Sequence, residues 1–178
     1  TFTDGTNSST ATQVYNYDDT TPPVAGTQNI TVFLDASGNA SITPADVESG
    51  STDDCGSINL DSVTPNTFTC ANIGTNTVTL TINDGNGNTD TETATVTIAD
   101  NLAPVTPATL PAITVDCSGV LTTPTALDNC AGTVNGTTSG SLSFVEGGST
   151  TITWTFTDGT NSSTATQVYN YDDTTPPV

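Results

Sequence analysis

The sequence has 178 residues, with 19 aspartates and glutamates and no lysine, arginine or histidine, so its formal net charge at pH 7 is −19. Such a chain has no side-chain cation for nucleic acid or anionic lipid, and it lacks the histidine and lysine on which most nucleophilic mechanisms depend. Salt bridges between side chains are excluded too, so metal cations are its natural partners, and without them self-repulsion disfavours the compact state.

Alternation of apolar residues with threonine predicts β-strands, because successive side chains of a strand point to opposite faces. In chain order, the predicted inward positions are Ile30, Val32 and Leu34; Val78, Leu80 and Ile82; Ala94, Val96 and Ile98; and Ile152, Trp154 and Phe156. No stretch has a helical period, and Gly, Asn, Asp and Pro interrupt the chain at short intervals. We predict an all-β fold of tandem immunoglobulin-like β-sandwich domains in an extended array, with Trp154 in a core.

A repeat organises the chain. Residues 1–24 recur without a change as residues 155–178, at an offset of 154 residues, which indicates a window on a longer array of near-identical units. Within one period, the acidic segment 18–24 resembles 99–105, and each follows an Asp-Gly turn between threonine-rich strands. We therefore predict that 1–24 is the C-terminal hairpin of a preceding repeat, 25–102 a first immunoglobulin-like domain and 103–178 a second.

The four cysteines, Cys55, Cys70, Cys117 and Cys130, occur without histidine. This argues against a Cys/His zinc site and predicts disulfides formed in an oxidising compartment. Three connectivities are open, and the local pairs Cys55–Cys70 and Cys117–Cys130 are preferred because each lies inside one predicted domain. No apolar run is long enough to span a bilayer and no signal peptide is recognisable. The expectation is a secreted, cell-surface protein without membrane insertion.

Several stretches resemble a known family. They are NITVFLDASGNASITPADVESGSTDDCG (29–56), FTCANIGTNTVTLTINDGNGN (68–88), ATVTIADNLAPV (94–105), ITVDCSGVLTTPTALDNCAGTVNGTT (113–138) and TITWTFTDGTNSSTATQ (151–167). They resemble hyalin-repeat-like modules, and a companion module, of giant surface adhesins in gliding and biofilm-forming Bacteroidota. The resemblance implies an immunoglobulin-like fold, export to the cell surface and a part in adhesion or gliding motility. Glu92 and Gln167 stand where that family frequently has a cysteine, a departure that favours the local disulfides.

Acidic and amide residues are predicted to converge at the joints between domains. In an immunoglobulin-like sandwich, the B–C and F–G loops face the linker that arrives from the preceding domain. The candidate ligands are Asp18, Asp19, Glu48, Asp53, Asp54, Asp84, Asn86 and Asn88 at the first joint, and Asp100, Asn101, Asp128, Asn129, Asp158 and Asn161 at the second. Calcium binds six to eight such hard oxygens, so calcium is the predicted cofactor. The alternative is that these residues only form turns.

The predicted function is a structural repeat of a long extracellular, calcium-stiffened filament or adhesin stalk that mediates cell-surface adhesion or gliding, and chelation is expected to soften it. Its expected partners are neighbouring repeats and calcium ions, with a surface or glycan bound through a distal region and no nucleic acid. The alternative is a laterally packed fibre, sheath or surface-layer polymer, which requires apolar patches or exposed strand edges. A two-carboxylate hydrolase remains formally possible. The acidic residues lie in turns, however, so no enzyme activity is predicted.

Overall fold

The computed structural model describes residues 1–16, 18–107, 109–116, 122–139, 145 and 147–173. Almost all of the regular structure there is strand, which confirms the all-β prediction. The elements are β1 (Phe2–Thr3), β2 (Ser8–Ser9), β3 (Ile30–Phe33), β4 (Asn39–Ser41), helix α1 (Pro44–Val47), β5 (Asn59–Thr64), β6 (Thr67–Thr69), a 3-10 turn (Cys70–Asn72), β7 (Gly74–Asn83), β8 (Thr89–Ala99), β9 (Ile113–Val115), β10 (Thr125–Asp128), β11 (Gly132–Asn135), β12 (Ser149–Thr157) and β13 (Ser162–Tyr171).

The alternation seen in the sequence sets the burial of the long strands. In β7 the apolar positions Val78, Leu80 and Ile82 are buried, whereas the threonines between them are not. Strands β8 and β12 follow the same period of two. Apolar burial on one face of these strands is therefore what selects their register.

The strands form two larger sheets and three two-stranded ones. The larger sheets have the orders β3-β8-β7-β5 and β12-β13-β9. Strand β3 runs parallel to β8, with Ile30 opposite Val96, and β9 runs parallel to β13, with Ile113 opposite Tyr169. The pairs β1-β2, β4-β6 and β10-β11 are antiparallel. The same arrangement thus occurs twice. Strand β8 neighbours β7, which precedes it in the chain, and also pairs in parallel with the earlier strand β3. Strand β13 neighbours β12 and pairs in parallel with the earlier strand β9 in the same way.

The chain divides into two compact units. The first comprises Thr1–Gln28, Thr43–Thr64 and Thr79–Ala94, and its buried apolar residues are Ala25, Val47, Val63, Leu80, Ile82 and Ala94. The second comprises Asn29–Ile42, Pro65–Val78 and the described part of Thr95–Val178. One core cluster of the second unit consists of Val115, Ala126, Ile152, Trp154, Phe156, Ala165 and Tyr169. The predicted division at residues 102 and 103 stays a prediction.

Helix α1 was not predicted, because four residues are too few to show a helical period. The local sequence nevertheless explains it. Pro44 occupies the first turn, where its missing N–H costs nothing, and the Asp46 carboxylate accepts a hydrogen bond from the Thr43 N–H at 2.7 Å. The helix is one turn long and buries Val47. Among the residues that the structure describes, no helix has the length and apolar character needed to cross a membrane.

Trp154 lies in the core, as expected, with a buried polar partner. Its indole N–H donates to Gln167 Oε1 at 3.0 Å, and the Tyr169 hydroxyl donates to the same oxygen at 2.9 Å. The Gln167 side-chain amide in turn donates to the Pro111 carbonyl at 3.0 Å. Since a buried polar group without a partner is costly, Gln167 allows two large polar aromatic side chains to enter this core.

The predicted disulfide pairing was wrong. Cys70 is bonded to Cys130, 60 positions along the chain, and Cys55 is an exposed free thiol. The proposed partner of Cys130, Cys117, lies outside the described residues. The reason is spatial: the 3-10 turn after β6 and the turn between β10 and β11 place the Cα atoms of Cys70 and Cys130 5.4 Å apart. A disulfide is typical of proteins from oxidising compartments.

The duplicated segment adopts two different structures. In residues 155–173 it forms the end of β12 and all of β13, and Phe156 is completely buried. In residues 1–16 it forms only the two-residue strands β1 and β2, and Phe2, the counterpart of Phe156, is 70% exposed. Because the two sequences are identical, the long-range partners available to each copy decide its burial.

The pair Phe2 and Phe156 therefore provides a matched test of the fold. Phe156→Ala is expected to lower the free energy of unfolding by about 3–5 kcal/mol, since it empties a buried site. Phe2→Ala is expected to change it by less than about 0.5 kcal/mol, as for other exposed positions. Urea denaturation of both variants measures the difference, and equal losses would contradict the assigned core.

Candidate metal centre

Three strand ends bring three carboxylates together in the second unit. Asp100 directly follows β8, Asp128 is the last residue of β10, and Asp158 directly follows β12. Each offers a carboxylate oxygen, and these oxygens lie within 4.8 Å of one another. We call this group the Asp128 centre. Its three members were all predicted ligands of the second joint, so the structure brings together what the sequence predicted would converge.

Asp128 is the most constrained member. It is 5% exposed, and its Oδ1 accepts hydrogen bonds from the backbone N–H groups of Cys130 at 2.9 Å and Ala131 at 2.7 Å. Its Oδ2 is buried without a hydrogen-bond partner, and so is Oδ1 of the neighbouring Asn129. A buried, unpaired carboxylate oxygen beside two other carboxylates is unfavourable unless a cation compensates it.

Amide side chains tie the members of the centre together. Asn129 Nδ2 donates to Asp100 Oδ1 at 3.3 Å and to the Asp35 carbonyl at 3.1 Å. Asn161 Nδ2 donates to the Asp100 carbonyl at 3.2 Å and to Asp158 Oδ2 at 3.0 Å. These bonds hold Asp100 against the turns that carry the other two carboxylates.

Asp158 also organises its own turn. Burial raises the pKa of its carboxyl, but hydrogen bonds from the Asn161 backbone and side chain and from the Thr160 N–H outweigh that effect, and the pKa falls below its usual value. The charged form is therefore favoured in the folded state. The resulting stabilisation is present above the unfolded-state pKa and is lost as the pH falls through the lower folded-state pKa. Near neutral pH Asp158 carries its full negative charge.

A second carboxylate group lies in the first unit. Oxygens of Asp19, Asp53 and Asp84 lie within 4.8 Å of one another. Asn88 Nδ2 donates to the Asp19 carbonyl at 3.1 Å, and Asn86 Nδ2 donates to Asp19 Oδ2 at 3.3 Å. Burial raises the pKa of Asp84, yet hydrogen bonds from the Asn88 side chain and three backbone amides lower it overall.

Asp53 has a buried oxygen without a partner in this group. Its Oδ1 makes no hydrogen bond, whereas its Oδ2 accepts bonds from the N–H groups of Cys55, at 3.1 Å, and Gly56. A third set in the same unit consists of Asp19, Asp54 and Cys55. The charge of Asp54 is the main cause that raises the pKa of the Cys55 thiol, so this cysteine is held in its protonated form.

Not all of the predicted ligands join these groups. Among the residues that the structure describes, Asp18 and Glu48 belong to none of the three sets. The Glu48 side chain instead accepts a hydrogen bond from the Ser51 N–H at 3.0 Å. The sequence analysis missed the Asp35 carbonyl and the cysteines Cys55, Cys70 and Cys130 as neighbours of the acidic groups. The segments DDC at Asp53–Cys55 and DNC at Asp128–Cys130 gave a signal for two of these cysteines.

The two copies of the duplicated segment show that turn formation does not by itself bring carboxylates together. Asp4 is the counterpart of Asp158, and its Oδ1 accepts the same local bonds, from the N–H groups of Thr6 at 3.0 Å and Asn7 at 2.7 Å. Within the described part of the chain, Asp4 nevertheless belongs to no carboxylate set. Turn formation therefore explains the local bonds of both aspartates, but not why Asp158 lies beside Asp100 and Asp128.

The Asp128 centre fits a hard divalent cation. Three carboxylates line it, and calcium prefers carboxylate, amide and carbonyl oxygens. The centre opens into a cavity of about 250 Å³ that Asp100, Asp128 and Asp158 line. In this arrangement the unpaired oxygen of Asp128 would become a ligand.

Comparisons with known proteins give no family assignment. No described protein family matches the chain, and no curated protein matches it. Among solved structures, it is similar to an endo-fucoidan hydrolase of glycoside hydrolase family 107, with 16% identity, a TM-score of 0.34 and coverage of 90% of this chain and 30% of that one.

Two cadherin-type structures are similar at the same level. The human desmocollin-1 ectodomain matches with 15% identity and a TM-score of 0.33 over 85% of this chain and 41% of its own. A protocadherin gamma B7 structure of extracellular cadherin domains 1–4 matches with 13% identity and a TM-score of 0.33 over 85% and 51%. The chain thus spans about half or less of each, and likenesses this weak carry no argument about its function.

Proposed function

We propose that this chain is a structural repeat of a long extracellular filament or adhesin stalk whose joints are stiffened by calcium, with a part in cell-surface adhesion or gliding and no catalytic role. The observation that carries the proposal is the buried, unpaired Oδ2 of Asp128 beside the carboxylates of Asp100 and Asp158.

The first support is the charge balance. No lysine, arginine or histidine exists to neutralise 19 acidic side chains, so compensation must come from outside the chain. Calcium is the abundant extracellular cation that accepts a flexible shell of oxygen ligands. An ion at the Asp128 centre would contact residues on either side of the predicted boundary at 102 and 103, since Asp100 precedes it and Asp128 and Asp158 follow it.

The second support is the duplicated segment. Residues 155–173 bury Phe156 and Tyr169 by pairing within a unit that also contains residues 109–116 and 122–139. The identical residues 1–16 leave Phe2 and Tyr15 exposed, at 70% and 69%. A preceding copy of residues 103–154 would supply the same partners to this first copy. An array with a period of 154 residues therefore accounts for both structures of one sequence.

The laterally packed fibre remains the second candidate, because one surface favours it. Leu102, Val105 and Leu127 are exposed and border an apolar cavity of about 280 Å³ that Ala36 and Ala103 also line. Exposed apolar patches are what lateral association requires. Association of separate molecules through this patch would increase the particle mass with concentration and would be weakened by Leu127→Ser, whereas a single-file stalk predicts no such change.

Asp128→Asn tests the calcium site through the unfolding temperature, which is compared with that of the parent in chelator and in calcium. In chelator the variant should unfold at the same or a higher temperature than the parent, because it removes a buried unpaired charge. At a calcium concentration a hundredfold above the dissociation constant, the free energy of unfolding of the parent should rise by about 2.7 kcal/mol. Its unfolding temperature should rise by roughly 5–10 °C, and the variant should lose both increases. Calorimetry with and without EDTA measures both, with Asp4→Asn as the control that should behave like the parent. A parent insensitive to calcium would refute the proposal.

An N-terminal extension tests the array. A chain lengthened by a copy of residues 103–154 placed before Thr1 should bury Phe2 as Phe156 is buried. Phe2→Ala should then cost about 3–5 kcal/mol in the long chain, although it is nearly neutral in the present one. Chemical denaturation of the four proteins gives the comparison. If Phe2→Ala stays neutral in the extended chain, the repeats do not complete one another.

A further inference from the structure

The disulfide forms part of the wall of the Asp128 centre. Cys70 and Cys130 line the same cavity as Asp100, Asp128 and Asp158. Cys130 also contributes a backbone donor, since its N–H lies 2.9 Å from Asp128 Oδ1. One cysteine of the disulfide is therefore two residues from the buried aspartate and directly hydrogen-bonded to it.

The other cysteine of the disulfide, Cys70, contacts the turn that carries Asp128. Cys70 Sγ lies 3.5 Å from the Asn129 carbonyl oxygen and 3.7 Å from the Gly38 carbonyl oxygen. Gly38 has a φ of +74°, and a Cβ there would lie 2.6 Å from Cys70 Sγ and 3.0 Å from the Asn129 carbonyl oxygen. The turn at 35–39 thus packs closely on both the disulfide and the Asp128–Cys130 turn.

Besides the disulfide, hydrogen bonds from the Asn129 side chain to Asp100 Oδ1 and to the Asp35 carbonyl hold this turn. The turn connects the strands of the two-stranded β10-β11 sheet. An isolated β-bridge joins Leu127 of β10 to Val105, which lies outside that sheet. The disulfide closes a loop between residues 60 positions apart, so it removes much of the conformational freedom that would separate Asp128 from Asp100. The bond therefore lowers the entropic cost of assembling three like charges around an ion.

We propose that the Cys70–Cys130 disulfide positions the Asp128 centre and sets its calcium affinity, so that the redox state of this bond controls the metal site. The inference rests on the proposed calcium role of the same centre. In the redox step, an external dithiol supplies two electrons and two protons. The S–S bond breaks, Cys70 and Cys130 become thiols, and the two sulfurs of the dithiol join in a disulfide.

Coupling of this kind is reciprocal. If reduction weakens calcium binding by a given factor, calcium must stabilise the disulfide against reduction by the same factor. As long as the reduced chain stays folded, a disulfide with only a structural role distant from the ion would have a reduction potential that calcium does not change. The dependence of the potential on calcium thus separates positioning of the metal site from general stabilisation.

The experiment measures calcium binding to the full chain by titration calorimetry with calcium chloride alone, first oxidised and then after treatment with dithiothreitol. Calcium affinity that depends on Asp128 should fall about tenfold on reduction, the size of effect typical for groups that orient metal ligands. The Cys70→Ala/Cys130→Ala double variant should show the same loss under oxidising conditions.

The reciprocal arm uses a dithiothreitol redox buffer. Saturating calcium should make the potential of the Cys70–Cys130 pair more negative by about 30 mV for a tenfold coupling. The shift should vanish in Asp128→Asn.

Unfolding of the reduced chain could by itself weaken calcium binding, so a further variant tests the coupling with the disulfide intact. Gly38→Ala should weaken calcium binding in the oxidised protein, because its Cβ displaces the disulfide and the Asn129 carbonyl. Gly50→Ala is its control: Gly50 has nearly the same φ, +75°, but no atom within 4 Å of the added Cβ.

The outcomes separate the two proposals. Unchanged affinity on reduction and in Gly38→Ala, with an unchanged potential, would overturn the coupling and leave the calcium role intact. Absence of any Asp128-dependent calcium binding in the oxidised chain would overturn both.

Discussion

An uncompensated negative charge is the constraint on which the rest of this molecule depends. In most proteins a buried aspartate can pair with lysine, arginine or histidine, and here none of these exists. Each carboxylate must be stabilised by neutral donors, by water or by a cation from outside. Asp84 and Asp158 use turn amides, and the result is a pKa below the usual value for each. At Asp128 the available amides reach only one of the two oxygens, so the local structure satisfies half of the group.

The duplicated segment gives an internal control for this argument. Asp4 and Asp158 make the same turn bonds, yet only Asp158 lies beside two other carboxylates. Phe2 and Phe156 likewise have the same neighbours in sequence and opposite burial. Local sequence therefore determines the turn, whereas long-range partners determine the core and the charge cluster. A function carried by the cluster would therefore depend on these long-range contacts and not on the segment alone.

Much of the fold could be predicted from the sequence because its signals are local. The alternation around Val78, Leu80 and Ile82 identifies a half-buried strand without any knowledge of its partners. Convergence of Asp100, Asp128 and Asp158 was also predictable, since loops at one end of a sandwich share a location whatever their sequence. Helix α1 was missed because one turn has no period, and Gln167 was noted only as a departure from a family pattern.

The disulfide could not be predicted for a different reason. Short spacing favoured Cys55–Cys70, but the bond joins Cys70 to Cys130, and the distance that allows it depends on where β6 and β10 end in space. The residues that flank each cysteine in the sequence do not determine the distance between the two cysteines. The same long-range placement brings the bond to the wall of the Asp128 centre. The wrong pairing therefore gave no sign that the disulfide lies beside these carboxylates.

A high-resolution crystal structure grown with calcium would show whether the Asp128 centre holds an ion. We expect an ion whose ligands include Asp128 Oδ2 and oxygens of Asp100 and Asp158, each at about 2.3–2.6 Å, as calcium requires. Anomalous scattering would identify the element. At saturating calcium, an Asp128 Oδ2 that is still buried without any ligand, or bonded only to water, would refute calcium binding at this centre.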